Sequence, residues 1–285
     1  QRDRLAFFER CARECGDFVP FRSAHRRCVL ISHPDLVEDL LVNQQAHFRK
    51  TEILRQNRLM FGNGLLTSEG DFWLRQRRLA QPAFHRQRIA AYVADMIHFG
   101  ERLVDGWRDG QELDAHAAMM HVTLEIVAKT LFGADVSADA TDIGQALSVL
   151  IETFFRRANR PVRLSERWPT RDNRRLRQVA ARLDRIIYGI VEQRRREGSH
   201  SDDLLSMLLA AQDEDGSRMT NKQLRDEAMT LFLAGHETTA IALSWAFYLL
   251  SQNPDVDAEL ASELRAVLAG RPPTVEDLPR LPYTS

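Results

Sequence analysis

The spacing of apolar and polar residues along the chain predicts a protein built mostly from helices. Strand-like patterns are confined to two short runs, Phe18 to Phe21 and Arg27 to Ser32, which predict a small hairpin. Elsewhere apolar residues recur every three or four positions, as amphipathic helices require, over residues 72–80, 86–108, 115–132, 142–158, 172–197 and 202–212. The predicted fold class is therefore mainly α with a small β part.

Two further segments lie between the hairpin and the first long helix. The stretch HPDLVEDLLVN predicts a short helix that begins near Pro34, because proline suits the first turn of a helix. Residues 48–70 are predicted to form a loop that ends in GNGLLTSEG. Gly62 and Gly64 in this loop permit backbone conformations that other residues resist.

The longest predicted helix has clear start and stop signals. Thr220 followed by Gln223 fits a capping box, and Asn253-Pro254 ends the pattern. The helix would contain roughly thirty residues and measure about 45 Å. Its centre is apolar enough to suggest a membrane span, but His236 and Glu237 would be costly in lipid. The sequence therefore predicts a central helix in a soluble core.

Composition excludes several classes of protein. The 285 residues include 39 Lys and Arg against 40 Asp and Glu, so the net charge of −1 gives no general attraction to nucleic acid. Three cysteines occur, Cys11, Cys15 and Cys28, and an odd number without paired spacing is typical of a reducing compartment. No leader or membrane anchor is recognised in this segment, and a cytoplasmic location is predicted.

The segment from Arg156 to Glu197 is rich in arginine. It holds fourteen arginines, no lysine and five acidic residues. One interpretation is a basic face for an acidic partner or a membrane surface. The favoured interpretation is a set of solvated helix faces, which is supported by the periodic apolar residues Leu176, Val179, Leu183, Ile186, Ile187 and Ile190.

The stretch LFLAGHETTA places polar groups inside the long apolar helix. It is not an H-E-x-x-H zinc site, because Ala240 stands where the second histidine is needed. Ala234 and Gly235 are small enough to let a flat ligand approach the backbone, and Glu237 and Thr238 add a carboxyl and a hydroxyl group. Such a turn suits proton delivery to a bound oxidant. A water-filled kink without chemistry is an equally open interpretation at this point.

Two motifs in order carry a family resemblance. The residues from Ala234 to Thr239 resemble the [A/G]-G-x-[D/E]-T-[T/S] signature of the oxygen-activating helix of the cytochrome P450 family. Upstream, EGDFWLRQRRLAQPAFH resembles the family's W-x-x-x-R helix and the P-x-F turn after it. Trp73 and Arg77 share a helix face, where an indole N–H and a guanidinium suit a haem propionate. Alone, such a pair is more often a surface cation–π contact.

The resemblance implies a cytochrome P450 fold and a haem-dependent monooxygenase. The expected reaction inserts one oxygen atom of O₂ into a hydrophobic small molecule, such as a fatty acid or terpenoid. Electrons from NAD(P)H would arrive through a ferredoxin or a flavoprotein reductase, since no flavin or dinucleotide fingerprint is present. The residues implied are Trp73, Arg77, Ala234 and Gly235 for haem b, Glu237 and Thr238 for catalysis, and Leu65, Leu66 and Leu233 for substrate.

The sequence also departs from the family pattern. Neither the E-x-x-R helix nor the cysteine in a glycine-rich loop that ligates iron occurs in this chain, and no metal ligand is predicted in it. We therefore expect residues 1–285 to form a single cytochrome P450 domain that is incomplete at both ends and truncated before the haem-ligand loop. The alternative is a non-catalytic helical binding or interaction protein.

Overall fold

The computed structural model describes residues 3–23, 26–52, 54, 58–133, 140–158, 168–197, 203–213 and 216–284. The described α-helices are α1 (Arg4–Cys15), α2 (Pro34–Glu38), α3 (Arg58–Phe61), α4 (Gly70–Ala80), α5 (Arg86–Asp105), α6 (Ala115–Phe132), α7 (Ala140–Ala158), α8 (Arg171–Glu197), α9 (Leu204–Ala210), α10 (Asn221–Gln252) and α11 (Pro254–Leu268). Single turns of other helix types are Asp39–Asn43 (π) and Gln45–His47, Gln81–Phe84 and Val275–Arg280 (3₁₀).

The predicted hairpin is confirmed near the N-terminus. Strands β1 (Phe18–Ser23) and β2 (Arg26–Ile31) pair antiparallel, with Phe18 opposite Ile31. Helix α1 packs on this hairpin, and the ring of Phe7 lies 5.5 Å from that of Phe21. The small sheet and α1 thus share a local aromatic cluster.

The long helix α10 forms the centre of the fold. The hydroxyl of Thr220 accepts the amide of Gln223, and the Gln223 side chain accepts the amide of Thr220, which confirms the predicted capping box. Helix α10 packs chiefly on α6 and α8. Its buried apolar residues join those of α6, α7 and α8 in the main core, which includes Leu124, Leu147, Leu176, Leu224 and Met229.

The prediction of a loop throughout residues 48–70 is wrong in one place. Residues 58–61 form the single helical turn α3, and Met60 and Phe61 are buried in the main core. A helix this short has no detectable periodicity in its sequence, because its stability comes from packing on α8 and α10.

Helix α8 is amphipathic, as its apolar spacing predicts. Leu176, Leu183 and Ile187 are buried, while its arginines are exposed except for half-buried Arg194. The exposed arginines of residues 171–196 fit both interpretations of this segment, a basic face for a partner and solvated helix faces. The rest of the arginine-rich loop, residues 159–167, lies outside the described residues.

The two halves of α10 differ in exposure. Its first half is buried almost all round, whereas beyond Ala240 large apolar side chains are exposed, including Leu243, Trp245, Phe247, Tyr248 and Leu249. Despite this apolar character, none of the helices in the described ranges combines the length and hydropathy that a membrane span needs.

Candidate active site

One stripe of α10 passes from the buried core to an open surface. Ala234 and Thr238 come seven and eleven positions after Glu227, so at 3.6 residues per turn all three lie within about 20° of one line. Glu227 is completely buried, whereas Ala234 and Thr238 are exposed. The open end of the stripe therefore presents a small side chain and a hydroxyl group one turn apart.

Gly235 faces a neighbouring helix as well as the open stripe. A Cβ atom built at this position would lie 3.1 Å from Cγ2 of Val127 on α6. The absence of a side chain thus allows α6 and α10 to pack closely, which is a role that sequence reasoning did not assign to it. Ala234, its exposed neighbour, forms the small surface on the open side.

The hydroxyl group of Thr238 is held by its own helix. Its Oγ1 donates a hydrogen bond to the carbonyl oxygen of Ala234, one turn earlier. Threonine side chains commonly form such a back-bond inside helices. Residues 221–252 are all α-helical, so the helix continues without a break through this turn. The donor is therefore occupied, and the oxygen of Thr238 faces outward as an acceptor.

Glu237 lies half-buried beside this turn. Partial burial raises the pKa of its carboxyl group above the ordinary value, and the nearby imidazole of His116 opposes that shift. A raised pKa brings the carboxyl group closer to holding a proton near neutral pH. This property suits a group that delivers a proton.

His236 has a structural role that sequence reasoning missed. Its ring is completely buried, and Nε2 lies 3.0 Å from the carbonyl oxygen of Met120 on α6. Burial lowers the pKa of His236, so the neutral ring donates through Nε2 to that carbonyl. The bond joins α6 and α10, which pack on each other. It explains why a polar side chain is found inside an apolar helix.

Trp73 and Arg77 form the predicted pair on one face of α4. The guanidinium carbon of Arg77 lies 5.2 Å from the centroid of the half-buried Trp73 ring. Arg77 is exposed, and within the described ranges its side chain has no ion-pair or hydrogen-bond partner. An exposed cation beside an indole N–H fits an anionic group such as a propionate.

The three leucines predicted to contact substrate differ in position. Leu233 is buried in the main core, about 100° around α10 from Ala234, and offers no open surface. Leu65 is partly buried against that core, and Leu66 is exposed. Leu66 is thus the member of this set most accessible to a ligand.

A buried polar cluster links α4, α10 and the loop that contains these leucines. The amide of Leu65 donates to Oε2 of Glu227 at 2.9 Å, and Nε2 of Gln76 donates to Oε1 at 3.1 Å. The amide of Asn63 donates to Oδ2 of Asp226 at 2.9 Å. Desolvation raises the pKa of Glu227 to about 7, against the opposing effect of these hydrogen bonds.

Sequence reasoning missed this cluster, since it assigned no role to the charged residues at the start of α10. In the structure Arg225, Asp226 and Glu227 are all buried. The available signal was three consecutive ionisable residues next to Leu224 and Ala228, since a helix cannot turn three neighbouring positions to one exposed face.

Comparison with known proteins is consistent with this geometry. The family model described as cytochrome P450 matches residues 1–285. Cyclooctatin synthase of Streptomyces melanosporofaciens is 38% identical over 94% of this chain and 59% of its own length. Pentalenene oxygenase of Streptomyces avermitilis is 34% identical over 94% of this chain and 60% of its own. The crystal structure of the cytochrome P450DA haem domain superposes with a TM-score of 0.86, at 25% identity, over 98% of this chain and 62% of that one.

The chain belongs to the cytochrome P450 family, as the two sequence motifs indicated. Its fold is that of a P450 haem domain, and the cofactor of this family is haem b. The chain spans about three fifths of the length of the relatives described above.

Proposed function

We propose that this chain forms part of a monooxygenase that inserts one oxygen atom of O₂ into a hydrophobic small molecule. The observation that carries the proposal is the open stripe of α10, where exposed Ala234 and Thr238 follow buried Glu227 on one helix face. When bound, haem supplies the activation of O₂ and the oxidation of a C–H bond. The protein supplies binding, orientation and protons.

The residues take separate roles in this proposal. Arg77 and Trp73 bind a haem propionate through a guanidinium and an indole N–H. Ala234 and the backbone at Gly235 leave room for a flat ring beside the helix. Glu237, whose pKa is raised by partial burial, delivers a proton from its carboxyl group, and Thr238 relays it at Oγ1, the atom that already bonds the Ala234 carbonyl.

The proposed substrate is apolar. Leu66 is exposed next to the anchored residue Leu65, which gives the site an apolar edge. One relative is named for pentalenene and another for cyclooctat-9-en-7-ol, which by their names are an unsaturated hydrocarbon and an unsaturated alcohol. Of the two substrate classes expected from the sequence, these names favour a terpenoid over a fatty acid.

The electron donor proposed is a ferredoxin or a flavoprotein reductase that carries electrons from NAD(P)H. The cytoplasm is proposed as the location because the three cysteines are unpaired. Two relatives are named as an oxygenase and a monooxygenase, which supports an enzyme over the alternative of a non-catalytic binding protein.

Replacing Thr238 with alanine tests the proposal in the protein expressed from its complete reading frame. With a compound that the wild type oxidises, product formed per NAD(P)H should fall by about tenfold or more, because a proton-relay group is lost. Hydrogen peroxide should rise, while folding and compound binding stay unchanged.

Ser148→Ala provides the matched control. Ser148 makes the same kind of back-bond, from Oγ to the carbonyl oxygen of Gly144 at 3.0 Å, but lies on α7, outside the proposed site. Its coupling should equal that of the wild type. Unchanged coupling in Thr238→Ala would remove Thr238 from the mechanism.

A further inference from the structure

The loop at residues 62–68 is attached to α10 through its backbone. The amides of Asn63 and Leu65 donate to the carboxylates of Asp226 and Glu227, each at 2.9 Å. These carboxylates come from a part of the chain more than 160 residues away. The loop is therefore held in place by two consecutive side chains of the central helix.

A cation holds the same loop from another direction. Nζ of Lys50 donates to the carbonyl oxygens of Leu65 at 2.6 Å and Ser68 at 2.8 Å. Both backbone polar groups of Leu65 are thus bound by ionisable side chains, the amide by Glu227 and the carbonyl by Lys50. Nζ of Lys50 also lies 5.5 Å from the ring centroid of Trp73, which connects the loop to the proposed haem-binding face.

The loop has little freedom to shift against the helix. Gly62 has φ of 62°, and a Cβ atom there would come within 1.9 Å of Oδ1 of Asp226. At Gly64 a Cβ atom would lie 2.4 Å from Oγ1 of Thr230. The two glycines allow the backbone to approach α10 so closely that the carboxylates can reach its amides.

The position of Glu227 relates this attachment to the proposed site. Glu227 begins the helix stripe that continues to Ala234 and Thr238, and the residue that it binds, Leu65, adjoins exposed Leu66. Glu227 has no exposed surface, and burying a carboxyl group is costly unless hydrogen bonds compensate. The amides of Leu65 and Gln76 supply that compensation.

We infer that Glu227 and Lys50 are positioning residues that fix Leu65 and Leu66 at the edge of the substrate site and so determine which bulky ligands fit. The effect on ligand choice rests on the proposed function, but the attachment of the loop to α10 is measurable without catalysis. Neither residue touches the reacting atoms in the proposed site. They act through the backbone of the loop.

The test compares Glu227→Ala, Glu227→Gln and Glu263→Ala in the protein from the complete reading frame. Glutamine keeps an acceptor for the Leu65 amide and an amide group beside Gln76. Glu263 is the matched control, because its carboxylate accepts the amides of Tyr283 and Thr284 at 2.8 and 3.0 Å instead of an amide of the loop. Haem content and the carbon monoxide spectrum are recorded first for every variant.

Hydrogen exchange in peptides that cover residues 62–68 measures the attachment. Glu227→Ala should raise the exchange rate of this loop by about tenfold, since the hydrogen bond from the Leu65 amide to the Glu227 side chain is lost. Glu227→Gln and Glu263→Ala should remain close to the wild type. Equal exchange in wild type and Glu227→Ala would overturn the inference.

Two axial probes measure the consequence for the site. Imidazole is small and phenylimidazole is bulky, and binding of both is followed by the shift of the haem absorption band. In Glu227→Ala the affinity for phenylimidazole should fall about three- to tenfold relative to imidazole, because the loop must be ordered on binding. Glu227→Gln should restore the ratio, which a merely structural defect would not do. An unchanged ratio in Glu227→Ala would also overturn the inference.

Two further outcomes, a variant that does not fold and a wild type that binds no haem, each have their own deciding measurement. If Glu227→Ala does not fold, the variant Lys50→Met provides the test, because it keeps an apolar side chain of similar length and removes the ammonium group. It should raise loop exchange and weaken phenylimidazole in the same direction, and no change would overturn the inference. If the wild type binds no haem, the proposed function fails, while hydrogen exchange still decides the attachment.

Discussion

At the scale of single residues, Glu227 is a titratable side chain with no exposed surface. Its pKa is raised to about 7 by desolvation, with a smaller contribution from the neighbouring carboxylate of Asp226. The amides of Leu65 and Gln76 and the charge of Lys50 act in the opposite direction. The protonated form is therefore favoured in the folded state more than in the unfolded chain.

This difference predicts a pH dependence of stability. Between about pH 4.5 and pH 7 the folded protein retains a proton that the unfolded chain has lost, so stability falls as pH rises through this window. The total effect is on the order of 3 kcal/mol. Glu227→Gln has no such proton, so urea unfolding of wild type and variant should diverge across this range. Parallel pH profiles would show that Glu227 titrates normally.

Arg77 provides a second prediction at this scale. Arg77→Ala should weaken haem retention by about 1.5 kcal/mol or more, because a propionate loses a charge-assisted hydrogen bond. Trp73→Phe should have a smaller effect, since it removes one neutral donor and keeps the ring. The measurement is the rate of haem transfer from the protein of the complete reading frame to apomyoglobin. Arg78→Ala is the control, and equal rates in wild type and Arg77→Ala would count against this placement of the propionate.

At the scale of elements, the contact between α6 and α10 depends on a missing side chain. A Cβ atom at Gly235 would lie 3.1 Å from Val127, which is closer than relaxed packing allows. Glycine inside a helix is nevertheless about 1 kcal/mol less favourable than alanine. The two effects have opposite signs at this position.

A double-mutant cycle separates these two effects. In the wild-type background, Gly235→Ala should raise the free energy of unfolding by less than the helix propensity predicts, or should lower it, because Val127 must move. In a Val127→Ala background it should gain the full amount, about 1 kcal/mol. Gly189 on α8 is the control, since a Cβ atom there meets nothing within 4 Å. Gly189→Ala should stabilise the protein equally in both backgrounds, as measured by urea unfolding. If Gly235→Ala also had equal effects in the two backgrounds, the contact with Val127 would be refuted.

At the scale of the whole molecule, the cysteines lie on elements other than those of the proposed site. Cys11 and Cys15 lie on α1 and Cys28 lies on β2, the unit joined by Phe7 and Phe21. The 285-residue chain with added haem should therefore not give the red-shifted carbon monoxide band of a thiolate-ligated ferrous haem. Protein from the complete reading frame is the positive control. The band in the 285-residue chain would mean that one of these three cysteines reaches the iron.

Much of the secondary structure was determined by the sequence alone. The capping box at Thr220 and the stop at Asn253 both depend on residues within one turn, so α10 begins and ends where the sequence indicates. The paired strands and the apolar face of α8 likewise follow from local periodicity. The family also followed from sequence, because its two motifs are short and contiguous.

Tertiary structure decided what the side chains of those elements do. The sequence gives no sign that Gly235 faces Val127 or that His236 bonds Met120, because those partners lie more than 100 positions away. The same holds for Glu227, whose titration and contact with Leu65 depend on burial against a distant loop. Local patterns specify helices because helical hydrogen bonds are local. Burial and long-range hydrogen bonds arise only when separate elements pack together, and the functional placement of these residues depends on that packing.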